Sequence, residues 1–182
     1  MIDNPEQVIS KELESGERLL WSGAPRRGLV IRGSDAFLIP FSLMWGGFAI
    51  FWEVSVMNSK APGFFVLWGV PFVLIGLYLI VGRFFADAAI RGRTCYGVTD
   101  RRAIIVAGLM SRSIKSVNLR TMTDLSLSER SGGSGTIYFG PTPPWGAMYS
   151  GGRWSHQYPP AFELIEDAKR VYNVIRQAQE SK

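Results

Sequence analysis

Two apolar stretches decide how this chain is read: Ala36–Trp52, AFLIPFSLMWGGFAIFW, and Ala61–Gly82, APGFFVLWGVPFVLIGLYLIVG. The first runs 17 residues and the second 22 without a charged side chain. About 20 apolar helical residues cross the hydrocarbon core of a bilayer. Only Glu53 and Lys60 carry charge between the runs. The pattern predicts a transmembrane helical hairpin over residues 36–86, with helices at about 36–57 and 62–84. Residues 1–35 then form a cytoplasmic entry segment. Residues 87–182 form a cytoplasmic domain.

The flanking charges give the hairpin a direction. Arg18, Arg26, Arg27 and Arg32 precede the first run. Arg83, Arg91, Arg93, Arg101 and Arg102 follow the second, and the loop between offers Lys60 alone. Basic residues near helix ends are retained on the cytoplasmic side. Both termini are therefore expected in the cytoplasm, with a short loop near residues 53–61 outside, which in a Gram-negative cell would be periplasmic. Pro40 and Pro71 are tolerated in membrane helices. Gly46, Gly47, Gly69 and Gly76 are small enough for close helix approach, within the chain or against another membrane protein. Glu53, near the outer interface, is expected to be solvated, with a proton relay as the sharper alternative. Trp52 suits an interfacial aromatic belt.

Composition agrees with an anchored module. Charged residues make up 19% of the chain, below the quarter usual in soluble domains. The net charge of +5 is uneven. Residues 1–35 hold 5 basic and 6 acidic side chains, a net of −1; residues 83–182 hold 14 and 8, a net of +6. Cys95 is the single cysteine, which excludes an intrachain disulfide and fits a reducing compartment. Residues 1–35 do not read as a signal peptide.

Beyond the hairpin the period changes. Thr94–Thr99 and Ala103–Ala107 read as strands around an Asp100-Arg101 turn, followed by Ser111–Val117, Thr123–Ser128 and Thr136–Phe139. Ser131–Gly135 reads as a flexible turn. Pro141–Pro160 is irregular, rich in proline and glycine, and carries Trp145, Tyr149, Trp154 and Tyr158. An amphipathic helix is expected from about 160 to 180. Phe162, Ile165, Ala168, Tyr172 and Ile175 mark its stripe, Pro160 lies in its first turn and acidic residues stand early.

Within this stretch, Tyr96-Gly97-Val98-Thr99-Asp100-Arg101-Arg102-Ala103-Ile104-Ile105 resembles the signature of bacterial pleckstrin-homology-like (PH-like) domains. Gly16-Glu17-Arg18-Leu19-Leu20-Trp21-Ser22-Gly23-Ala24-Pro25 resembles the entry that precedes the membrane helices of their anchored members. Ile137–Gly140, with Phe162–Ile165 and the last helix, resembles their ending. The resemblance implies an α+β chain: a transmembrane α-helical hairpin, then an antiparallel sheet or partial barrel capped by the C-terminal helix. It carries no catalytic residue, since the fold class is mainly one of binding and scaffolding.

The chemistry-bearing residues point the same way. His156 is the only histidine, so a zinc site of Cys and His is not available. No serine sits in a nucleophile elbow and no phosphate-binding glycine loop precedes a helix. No cofactor is expected, nor is nucleic acid, because no basic face is interleaved with aromatics.

Two surfaces stand out. Arg91, Arg93, Arg101 and Arg102 are expected as a basic rim facing anionic lipid headgroups. The plainer account is that Asp100 starts a turn and the arginines cap carbonyls or pair with Asp124 or Glu129. Trp145, Tyr149, Trp154 and Tyr158 form an expected partner-binding loop; dipping into the membrane interface or covering the sheet are the alternatives. The expected function is a non-enzymatic scaffold or adaptor for a membrane or cytoplasmic protein, including an accessory subunit of a larger membrane complex. Recognition of an anionic membrane surface is the alternative, and an enzyme of unknown type the minor one.

Overall fold

The computed structural model describes residues 4–31, 33, 35–59, 62–108, 112–130, 132–141 and 159–181. The elements in chain order are α1 (Pro5–Ser10), β1 (Leu19–Gly23), α2 (Asp35–Asn58) and α3 (Gly63–Leu77). A π-helical turn (Tyr78–Gly82) leads from α3 into α4 (Arg83–Arg91). Then come β2 (Cys95–Thr99), β3 (Arg102–Ala107), β4 (Ser113–Asn118), β5 (Leu125–Glu129), β6 (Gly135–Phe139), β7 (Ala161–Ile165) and α5 (Ala168–Glu180). The fold is mixed α+β. It divides into two compact units, one drawn from residues up to Gly28 and from Ala88 onward, the other built on Leu29–Asp87.

The second unit is the helical hairpin. Both α2 and the continuous helix Gly63–Arg91 are long and apolar enough to cross a membrane. Their inner seam is made of small and polar residues. Ser42, Gly46 and Ala49 are buried on α2, Gly69 and Gly76 on the facing helix. A Cβ added at Gly76 would meet the Gly46 Cα at 2.9 Å, so the two backbones touch there. The glycines at 69 and 76 sit two turns apart, as do Gly46 and Glu53 opposite them, the spacing of left-handed helix pairs. Gly47 faces open space instead. The outward surface is largely apolar, with Phe37, Met44, Phe48, Leu67 and Leu74 all exposed.

Glu53 departs from the expectation of a solvated carboxylate. It folds into the seam over Gly69, where an added Cβ would collide with it. Its Oε2 is buried and has no hydrogen-bond partner among the described residues. At the opposite end of α2, Asp35 pairs with Arg83 at 2.8 Å.

The first unit holds two antiparallel sheets, ordered β1-β2-β3-β4 and β5-β6-β7. β2 and β3 pair in register from Cys95↔Val106 to Val98↔Ala103. Alternation splits their side chains between two cores. Tyr96, Val98, Ala103 and Ile105 join Ile137, Phe139 and Phe162 of the second sheet, and the stripe Ala168, Val171, Ile175 and Ala178 of α5. That stripe has the i, i+3, i+7 spacing of a helix face. Phe162 is the hub, stacked on Tyr96 at 4.6 Å and edge-on to Phe139 at 4.8 Å. On the other face, Cys95, Ile104 and Val106 are closed over by Ile9 of α1. Gly97 makes this possible, because a Cβ there would collide with the Ile9 side chain. With both faces covered, β2 is buried at every residue.

Two expectations need correcting. Residues 1–35 are not only an entry segment, since α1 and β1 belong to the same unit as the later strands. The C-terminal helix starts at Ala168, not near 160, and Ala161–Ile165 is a strand of the second sheet. Leu164 (φ 52) and Asp167 (φ 50) adopt left-handed backbone. The first breaks the alternation within β7 and the second turns the chain into α5, so Phe162 and Ile165 mimic helical spacing.

Candidate functional site

The Thr99-Asp100-Arg101-Arg102 turn between β2 and β3 holds a dense polar network. The Thr99 hydroxyl oxygen accepts the Arg101 and Arg102 backbone N–H groups at 3.1 and 2.9 Å, the local bonding that lets threonine shape a turn. It donates its proton to Glu17 Oε1 at 2.7 Å. Arg102 closes on the same carboxylate with a fork, Nε to Oε1 and Nη2 to Oε2, both 2.9 Å. Its Nη2 also donates to the Glu12 carbonyl at 2.9 Å, and Nη1 lies 3.1 Å from Glu14 Oε1. Asp100 accepts the Arg18 N–H at 3.0 Å and returns its own N–H to the Arg18 carbonyl at 3.1 Å.

The electrostatics follow. Burial alone would raise the Glu17 pKa. The Arg102 fork, the Glu14 backbone N–H at 2.8 Å and the Thr99 hydroxyl outweigh it, holding the carboxyl at about 2 rather than the usual 4.5. The same carboxylate raises the Arg102 pKa. Burial pushes the Cys95 thiol up, against a smaller opposing pull from Arg27.

A second arginine clamps the points where the chain leaves and re-enters this unit. Arg91 is 1% exposed. It donates from Nη2 to the Gly28 carbonyl at 2.8 Å and from Nη1 to the Arg26 carbonyl at 3.3 Å. The four arginines expected as one lipid-facing rim are thus divided. Arg91 is a buried clamp and Arg102 is bound into the Glu17 site, whereas Arg93 and Arg101 are exposed. The carboxylates that pair with Arg102, Glu14 and Glu17, lie in the entry segment, not at Asp124 or Glu129. Trp145, Tyr149, Trp154, Tyr158 and His156 lie outside the described residues.

An open groove of about 600 Å³ runs beside Trp21, Arg26, Arg27, Glu166, Asp167 and Arg170. Among the described residues, no group of three His, Cys, Asp or Glu side chains is arranged to hold a metal.

Sequence reasoning singled out neither Glu17 nor Ile9 as a site residue. Glu17 stood in the quoted entry motif, but its side-chain partners Thr99 and Arg102 lie 82 and 85 positions away, a pairing that local spacing does not encode. No family model, curated protein or solved structure matches this chain.

Proposed function

We propose that the chain is a membrane-anchored PH-like adaptor of the bacterial inner membrane. Its hairpin crosses the bilayer twice, both termini face the cytoplasm, and its α+β unit binds a protein partner as an accessory subunit of a larger membrane complex. The observation that carries this reading is the pairing of β1 with β2, Gly23 opposite Tyr96. These neighbours flank the whole hairpin in sequence, which supports a chain that leaves and returns on one side of a bilayer. Two spanning helices give that path, and the arginine excess on the flanks favours the cytoplasmic side.

The PH-like assignment is supported by the two antiparallel sheets, by α5 contributing its stripe to their core, and by the meeting of both quoted motifs at Glu17 and Arg102. The exposed apolar girth of the hairpin fits lipid, because water-exposed apolar patches of that extent are rare in soluble monomers. The lipid-surface alternative keeps Arg93 and Arg101 but loses Arg91 and Arg102 to internal bonding.

Purification of the full chain from native membranes in mild detergent tests the adaptor role. The expected result is a second protein in fixed stoichiometry. Recovery of the isolated monomer alone would contradict it.

A further inference from the structure

The apolar surface does not stop where the helices do. Leu29 and Ile31 precede α2 on non-helical backbone and are 64% and 68% exposed. They stand two residues apart, the spacing that puts side chains on one face wherever the backbone is extended. Phe85, two residues past Arg83 in α4, is 62% exposed. On the spanning reading, the Asp35–Arg83 ion pair at 2.8 Å stands at the level where both helices reach the polar boundary. All three apolar side chains lie just beyond that level in sequence.

Water and the hydrocarbon core are both poor surroundings for such a segment. Its peptide groups are not bonded within a helix and would be costly in hydrocarbon, while its side chains are costly in water. The headgroup–acyl boundary satisfies both, and exposed Arg26 and Arg27 immediately before it suit the phosphate layer. We propose that Leu29, Ile31 and Phe85 form an interfacial collar that rests in this boundary of the phospholipid leaflet on the side of the termini. The collar rests on the spanning reading above. It fixes the depth at which the chain leaves the membrane.

The test uses the full chain with Cys95→Ala as background, reconstituted in vesicles of phosphatidylethanolamine and phosphatidylglycerol. Single cysteines at Leu29, Ile31 or Phe85 carry a nitroxide label, and collisions with oxygen and with a soluble nickel chelate are compared. Phe48→Cys, exposed in mid-helix, and Glu180→Cys, in α5, provide deep and aqueous references. The collar predicts depths for all three labels between those references. Aqueous values at Leu29 and Ile31, with Phe48 still deep, would overturn the collar and leave the spanning hairpin intact. An aqueous value at Phe48 would overturn the spanning reading itself.

Discussion

Arg102 grips Glu17 with two parallel hydrogen bonds of 2.9 Å across 85 positions of sequence. The pair joins the segment before the hairpin to the strands after it, and so makes the hairpin an insertion within one folded unit. Removing one partner strands the other as a buried charge or donor set, which is the costly way to break such a pair. Arg102→Lys, which keeps the charge and loses the fork, should destabilise the α+β unit by about 2 kcal/mol or more. Arg102→Met should cost about 3–5 kcal/mol. In a double-mutant cycle with Glu17→Gln, unfolding of the full chain in detergent should show strong coupling between the two sites. Additive losses would remove the pair from the account.

The pH dependence has a definite sign. The Glu17 pKa is lower in the folded state, about 2, than its ordinary 4.5. Its contribution is therefore complete above about 4.5 and is lost as pH falls toward 2. The gap corresponds to about 3 kcal/mol. Acid titration of wild type should show this loss, and Glu17→Gln should flatten that part of the curve.

Gly97 and Ile9 form a knob and a slot. Gly97→Ala should destabilise the sheet, because the added Cβ meets the Ile9 side chain. Ile9→Ala alone opens a cavity at a fully buried position and should cost about 2–4 kcal/mol. In the Ile9→Ala background the Gly97→Ala penalty should shrink, which thermal unfolding of the four proteins would reveal.

Arg91 answers for the two carbonyls at the exit from β1. Arg91→Met keeps most of the volume and leaves both acceptors without their donor. The expected cost is about 2–4 kcal/mol. Hydrogen exchange in residues 24–28 should rise while exchange in α5 stays near the wild-type rate.

Close approach of the helices depends on Gly76. Gly76→Leu would force a side chain into the Gly46 backbone. Disulfide trapping between cysteines placed at Ser42 and Ile80, in a Cys95→Ala background, should be efficient with Gly76 and largely lost with leucine.

Much of this fold was legible in local pattern. The two apolar runs, the β-branched alternation of β2 and β3 and the Asp100 turn all appear where the residue periods place them. The partnership of β1 was not legible, because five half-buried residues look alike whether or not a strand lies beside them. β7 was hidden by the left-handed Leu164, which gives Phe162 and Ile165 a helical spacing. The arginines were legible as a cluster but not as individuals: burial and reach, not sequence proximity, assign Arg91 to carbonyls and Arg102 to Glu17.

On the proposed reading, the hairpin crosses a bilayer twice between two paired strands. Cysteine accessibility in intact bacterial cells tests it most directly, with a membrane-impermeant maleimide and single cysteines at Asn58 or Ser181. Native Cys95 is buried and its thiol pKa is raised, so it supplies little background. A hairpin that spans twice predicts labelling of Asn58→Cys in intact cells and of Ser181→Cys only after the inner membrane is opened. Labelling of both positions, or of neither, in intact cells with both labelled after opening would contradict it.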